Sequence, residues 1–296
     1  MRVTRRFDLY VPKDPDDLLE YLDVHPTEVQ LIASGSDLIN RIQRRQVNPK
    51  VLVDLSGLSE YKFVRKDGGT IRIGALTTIS DMIASPVLDS CHDVISEVAD
   101  KFGGPAIINV ATLGGNICAA SSSEDLIPVL LVLDASVCLR SKHGDRVLRL
   151  EEFLKDKRIT DLKPNEVLVE AQFNELDGHS TCAFEKIGMR NSLIIAFVSA
   201  AVFLRLRTSG VVDEVRIAFN RVTGKIPERA RKTEESLRGK PLTANAVKDS
   251  IAVLREELQL TSDFRVSEEY RREVACVLYK RALSRCAQKL GEKSIV

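Results

Sequence analysis

Ala111-Thr112-Leu113-Gly114-Gly115-Asn116, followed two residues later by Ala119-Ala120-Ser121-Ser122-Ser123-Glu124-Asp125-Leu126, is the stretch on which the reading of this chain turns. Two adjacent glycines between a threonine and an asparagine let backbone N–H groups converge with no side chain in the way. Such a nest suits the concentrated negative charge of a diphosphate. The expectation is a Gly/Ala/Ser loop in which Gly114 and Gly115 take positive φ and present adjacent N–H groups while Asn116 fixes the turn. Leu126 to Leu133, with Pro128 near its first turn, then predicts a buried helix. A second stretch of the same character, Ala33-Ser34-Gly35-Ser36-Asp37-Leu38, follows the apolar Leu31-Ile32. There Gly35 lets the backbone close in, and Ser34 and Ser36, like Thr112, add hydroxyl donors. Taken singly, each is an ordinary turn, and neither is a G-x-G-x-x-G fingerprint or a P-loop. Their combination carries the signal.

Outward from these stretches the chain reads as short strands and helices. A strand-like opening, a helix over Asp14 to Asp23 and the apolar run Val29 to Ala33 make a compact β-α-β unit. Val51 to Leu55 and the alternating Ile71 to Ala75 predict two further strands, with Gly68-Gly69 as the hairpin turn between them. Thr78 to Ala84 predicts a helix capped at Ser80-Asp81 and stopped by Pro86. Strands are expected at Ser136 to Leu139, Val147 to Leu150 and Glu166 to Phe173, before a polar, turn-forming boundary at Asn174 to Gly178. Beyond it lie strands at Val198 to Leu206 and Val212 to Phe219, then amphipathic helices at Thr243 to Leu258 and Ser267 to Lys289. On the last helix Val274, Leu278 and Ala282 form the core stripe, and Arg271, Arg272, Lys280 and Arg281 are expected to form a solvated basic face.

The 296 residues are enough for two domains, and 44% hydrophobic with 29% charged side chains are values of a soluble globular chain. The balance of 43 basic to 42 acidic residues leaves no footprint for nucleic acid. The basic start Met1 to Phe7 runs into Pro12-Lys13-Asp14-Pro15 instead of an apolar core, which predicts a cytoplasmic protein without a signal peptide. The longest apolar run, Leu193 to Leu204, is too short to span a bilayer and reads as a buried element, so no membrane attachment is expected. Six cysteines (Cys91, Cys118, Cys138, Cys182, Cys276, Cys286) contain no C-x-x-C pair, and four histidines have no metal-binding spacing. No metal site is expected within the chain.

The order and spacing of the two glycine stretches resemble the flavoprotein subunit of the molybdenum hydroxylase family, which includes xanthine, carbon monoxide and nicotinate dehydrogenases. The second stretch is similar through Thr112, Gly114, Gly115, Asn116, Ser121 and Asp125; the first departs where Ser34 replaces a glycine. Phe7, Tyr10 and Pro12 resemble the family's lead-in, and Phe184 to Arg190 its F-x-K-x-x-x-R segment. Val215 to Phe219, Pro227 with Arg229, Leu237 to Leu242, and Tyr270 to Leu283 fall in the family's order, so the resemblance spans nearly the whole chain.

That resemblance implies an α+β fold of the FAD-linked oxidase type. Residues 1 to about 175 would form two subdomains, about 1–55 and 56–175, cradling FAD, with a smaller C-terminal α+β domain at about 180–290. It implies that Ala33, Ser34, Gly35, Ser36, Asp37 and Leu38, with Thr112, Gly114, Gly115 and Asn116, hold the FAD diphosphate. Asp125 would accept hydrogen bonds from the cofactor's hydroxyl-bearing chain, or cap the helix that follows, or both. Phe102 would stack on the flavin or pack in the core. Lys186 would stand near the pyrimidine edge, where a cation stabilises reduced flavin, and Arg190 would sit at the rim or be a surface cation. No catalytic side chain is implied. Electrons would arrive from the 2Fe-2S clusters of a small subunit and leave to NAD⁺ or another acceptor, with substrate hydroxylated on a molybdopterin-binding large subunit. Relatives carry a glutamine and a cation before the second stretch, where this chain reads Ala106-Ile107-Ile108-Asn109, and Leu193-Ile194-Ile195 replaces an acidic patch. These departures leave a structural or assembly subunit with weakened or lost FAD binding as the alternative.

Overall fold

The computed structural model describes residues 7–27, 29–189, 196–220 and 226–292. Its first unit is a parallel sheet in which β3 (Val51–Asp54) lies between β1 (Asp8–Tyr10) and β2 (Val29–Ile32), with helices α1 (Pro15–Val24) and α2 (Leu38–Gln43) as connections. Helix α1 starts where the Asp14 carboxylate accepts the N–H of Asp17 and Pro15 supplies a preset φ. Leu18, Leu19 and Leu22 face the core at helical spacing.

The second unit is a five-stranded antiparallel sheet of order β4 (Val64–Asp67), β5 (Thr70–Gly74), β10 (Val167–Asn174), β6 (Ser136–Ser141), β7 (Gly144–Arg149). Helices α3 (Ile79–Ile83), α4 (His92–Phe102), α5 (Pro105–Ile108), α6 (Leu113–Ala119), α7 (Leu126–Val132) and α8 (Leu150–Phe153) and the small pair β8 (Leu154–Asp156) and β9 (Ile159–Thr160) complete it. Gly68-Gly69 does turn a hairpin, but its first strand is β4 and not the Val51 segment, which belongs to the other sheet. Strand β4 escaped the sequence reading because its Val-Arg-Lys-Asp run is mostly exposed and shows no apolar alternation. Helix α3 is capped by Thr78, whose hydroxyl accepts the N–H of Asp81 while the Asp81 carboxylate accepts the N–H of Thr78. The expected cap at Ser80-Asp81 thus lies two residues earlier, at Thr78.

The third unit is an antiparallel sheet of order β11 (Ser180–Ile187), β12 (Val198–Leu206), β13 (Val212–Asn220), β14 (Glu228–Arg229), backed by α9 (Arg231–Leu237), α10 (Ala244–Glu257) and α11 (Glu268–Lys289). Strand β12 is buried on both faces: Ala201 and Phe203 pack toward the second unit, and Val198, Ala200, Val202 and Leu204 toward the helices. A strand covered on both sides needs apolar residues at every position, which is why this run shows no alternation. The basic face expected on α11 is only partly solvated. Arg271 is 2% exposed and pairs with Asp263 at 2.7 Å, because the helix is packed on more than one side. The third unit is fastened to the second where Arg285 on α11 reaches Glu97 on α4 at 2.5 Å and Glu185 on β11 at 2.8 Å, while the other Glu97 oxygen accepts the N–H of Phe184 at 2.7 Å. No described helix is long and apolar enough to cross a membrane.

Candidate cofactor cleft

A cleft of about 400 Å³ opens between the first and second units. It is lined by Ala33, Ser34, Gly35, Ser36, Asp37 and Leu38 on one side and by Phe102, Thr112, Gly115, Asn116 and Asp125 on the other. The volume falls in the range of small-molecule sites.

The first wall is the turn from β2 into α2. Gly35 takes φ +75°, which a glycine allows without strain, and a Cβ there would stand 2.9 Å from Ile39 Cγ1. The N–H groups of Ser34, Gly35, Ser36 and Asp37 have no acceptor among the described residues, so four backbone donors are available at the cleft. Behind them Asp37 is gripped by Arg158 through two bonds of 2.6 and 3.0 Å, and Arg158 also donates to the carbonyl of Ala119 at 3.0 Å. Arg158 therefore ties the two walls together. It sits at φ +65° in the β8–β9 turn, and sequence offered no signal for it because Asp37 lies 121 residues away. Arg41, on α2, also lines the cleft, and burial pulls its guanidinium below the usual value.

The second wall corrects the expected loop. Leu113–Ala119 is a helix, Thr112 is its N-cap, and neither Gly114 nor Gly115 has positive φ. The two glycines do different things. Gly114 is the point of contact with β5: a Cβ there would meet Ala75 Cβ at 2.7 Å and the Ala75 carbonyl oxygen at 2.9 Å. Gly115 is exposed toward the cleft, and a Cβ there would meet only Thr112 Oγ1, at 2.8 Å. The adjacent N–H groups expected to face the ligand are already used, Leu113 donating to Thr77 O, Gly114 to Ala75 O and Gly115 to Thr112 Oγ1. Gly115 thus serves by leaving room, and the free donors come from the other wall. Asn116 is buried and donates its Nδ2 to Glu124 instead of fixing a turn; its Oδ1 has no partner.

The floor is an ion pair. Lys186 Nζ, on β11, donates to Asp125 Oδ2 at 2.5 Å and to the carbonyl of Lys101 at 2.7 Å, and the two side chains are 3% and 5% exposed. Lys186 is held behind Asp125 and is not itself part of the cleft lining. Asp125 makes no side-chain cap to α7, so its N-cap reading is corrected: the carboxylate turns to Lys186. Burial raises the Asp125 carboxyl to about 6 while Lys186 pulls it back. Its Oδ1 is buried and lacks a hydrogen-bond partner, and the residue lines the cleft. Phe102 packs against the core of the second unit and also lines the cleft. Arg190 and the Leu193 to Ile195 segment lie outside the described residues.

Lys186, Ser199 and Asn220 stand in register on β11, β12 and β13. Cross-strand neighbours project to one face. Asn220 uses that position to donate its Nδ2 to the backbone carbonyl of Glu124 at 3.1 Å. Glu124 itself, absent from the expected site, lines the cleft beside Asp125. A carboxylate near an anion site is adverse on its face, and the sequence reading assigned Glu124 no role.

A family model described as the FAD binding domain in molybdopterin dehydrogenase matches residues 5–173, and one described as the CO dehydrogenase flavoprotein C-terminal domain matches residues 183–286. The chain belongs to the FAD-binding medium subunits of the molybdenum hydroxylase family. This medium subunit is 29% identical over 282 residues to the nicotinate dehydrogenase FAD-subunit of Eubacterium barkeri, covering 93% of this chain and 94% of that one. It is 27% identical to the carbon monoxide dehydrogenase medium chain of Hydrogenophaga pseudoflava, over 95% of this chain and 99% of that one. A solved structure of carbon monoxide dehydrogenase from the same organism superposes with a TM-score of 0.91 at 26% identity, covering 97% of this chain and 99% of that chain. Quinoline 2-oxidoreductase from Pseudomonas putida 86 gives 0.88 at 25% identity, over 96% and 98%. The fold is that α+β class, the cofactor is FAD, and the chain is a subunit of an oxidoreductase complex. The donor set agrees with the group: free N–H donors for an anion, and a buried carboxylate oxygen without a donor for hydroxyls.

Proposed function

We propose that FAD occupies this cleft with its diphosphate against the Ser34 to Asp37 turn, and that the chain passes electrons from a partner's 2Fe-2S clusters through FAD to NAD⁺ or another acceptor. The observation that carries the reading is the meeting, in one cleft, of four unengaged backbone donors, the open side of Gly115 and the unpartnered Asp125 Oδ1. Residues 1 to about 175 act as the cofactor-binding part, and about 180–290 as a smaller domain supplying Lys186 to its floor. When bound, FAD supplies the ability to accept and release electrons. The residues supply the rest. The turn neutralises phosphate charge, Asp125 orients hydroxyls, Phe102 offers an apolar surface, and Lys186 holds positive charge beneath the site. Substrate hydroxylation belongs to a molybdopterin-binding large subunit in a cytoplasmic complex.

The purified chain, given FAD and freed of excess, should carry about one flavin per chain by its visible spectrum, and a colourless protein would refute the reading. Gly115→Val should abolish FAD retention while leaving the fold intact, because its side chain enters the cleft and meets only a threonine hydroxyl. Flavin reduced by the co-purified iron–sulfur partner and reoxidised on addition of NAD⁺ would identify the acceptor; no reoxidation would direct the search to another one.

A further inference from the structure

We propose that Glu124 engages FAD as an uncharged carboxylic acid, donating its proton to an acceptor oxygen of the cofactor, so that a charged Glu124 and bound FAD exclude one another. The proposal rests on the reading that this cleft is the FAD site. Three carboxyl groups border the cleft, and two of them have their own cation: Asp37 has Arg158 at 2.6 Å and Asp125 has Lys186 at 2.5 Å. Glu124 stands between them and pairs with no cation among the described residues. Its side-chain partner among the described residues is the Asn116 amide, a neutral donor. The groups facing it from other elements are Asp37 at the start of α2, Arg158 in the β8–β9 turn, Asn116 on α6 and, behind Asp125, Lys186 on β11. Asn220 on β13 pins its backbone carbonyl at 3.1 Å, so the residue cannot swing away without breaking that bond.

A diphosphate brings further negative charge into this corner. An ionised, uncompensated Glu124 would oppose it, whereas a protonated carboxyl is a hydrogen-bond donor. Asn116 Oδ1, also without a donor, makes the corner richer still in acceptors. The apo chain is already poised for the uncharged form: burial, with the charge of Asp37, pushes the Glu124 carboxyl up to about 8, against the opposing pull of Arg158 and Asn116. At neutral pH most molecules are therefore ready to bind without taking up a proton, and above pH 8 binding draws one from solvent.

The test is the dissociation constant of FAD for the apo chain, followed by flavin fluorescence from pH 6.5 to 9.5, in wild type, Glu124→Gln and Gly115→Val. If only the protonated form binds, the wild-type constant rises by about thirty-fold between the ends of that range, a factor of ten per pH unit above the Glu124 value. Glu124→Gln, an uncharged isostere that still donates, should change less than about three-fold, and comparison with it cancels any ionisation of the flavin itself. A flat wild-type profile, or an equal rise in Glu124→Gln, overturns the proposal. Gly115→Val separates the two levels. If it binds FAD as wild type does, the cleft is not the site and both readings fall; if it binds none while the wild-type profile is flat, the proton alone is wrong.

Discussion

Replacing Lys186 by Met removes one half of the buried pair beneath the cleft and keeps the bulk of the side chain. Lys186 loses two bonds, 2.5 Å to Asp125 and 2.7 Å to the Lys101 carbonyl, and leaves a carboxylate that is 4% exposed and already has one oxygen without a partner. Breaking a fully buried pair from one side costs about 3–5 kcal/mol, since the survivor is neither solvated nor neutralised. At about 2–4 °C per kcal/mol this is a loss of roughly 10 °C in Tm. The cost should depend on pH. The Asp125 carboxyl lies near 6 with Lys186 present, so at pH 5 much of the wild-type pairing is already gone and the variant should differ less from wild type than at pH 7.5. The double variant Asp125→Asn/Lys186→Met removes both charges of this pair and should recover a substantial part of the loss. Urea unfolding of the apo forms at both pH values measures these quantities free of cofactor-linked stabilisation. A loss under about 1 kcal/mol at pH 7.5, or a double variant no more stable than Lys186→Met, would refute the reasoning.

Gly114→Ala should destabilise the chain by about 1–3 kcal/mol, because its Cβ meets Ala75 at 2.7 Å, while Gly115→Ala should cost no more than a weakened Thr112 cap, about 1 kcal/mol; equal thermal shifts would contradict the separate roles given to the two glycines. Arg158→Ala frees Asp37 and the Ala119 carbonyl, so FAD affinity measured by fluorescence titration should fall by about tenfold or more, roughly one lost charge-assisted bond, with only a small change in the melting temperature of the partly exposed pair. Apo-chain stability should decline as pH rises toward 8. The folded value of Glu124 is raised above its unfolded one, so its contribution is complete below pH 4.5 and is lost as pH passes through about 8; Glu124→Gln should flatten that part of the denaturation profile, and an unchanged slope would locate the effect elsewhere.

Much of the fold was legible because burial writes itself into local pattern. Helix α1 announced itself by Asp14, Pro15 and its leucine spacing, and β12 and β13 by apolar runs. Where local pattern and final environment part, the reading failed. Helix α6 looked like a loop because Gly114 and Gly115 each lower helix propensity by about 1 kcal/mol, and only contact with Ala75 shows why a side chain at Gly114 would be worse. Strand β11 passed only as a motif just beyond the domain boundary, since its pairing with β12 is a property of the sheet and not of its own residues. Within the cleft, glycine-bearing stretches were visible because close approach demands that residue type. Arg158 and Glu124 were not, because one acts on a partner 121 residues distant and the other belongs there only in a protonation state that its three-dimensional surroundings create.

The row formed by Lys186, Ser199 and Asn220 has a consequence for biosynthesis. The cleft walls come from residues 30–125, yet the floor under Asp125 and the anchor on Glu124 come from strands made much later. A nascent chain that has emerged only as far as the end of β10 has both glycine-bearing segments but no cation beneath Asp125. On the proposed reading of the cleft, cofactor loading is expected to wait for translation to pass Asn220, about three quarters of the way along the 296-residue chain, so that a bound flavin would mark a chain whose third unit has begun to form.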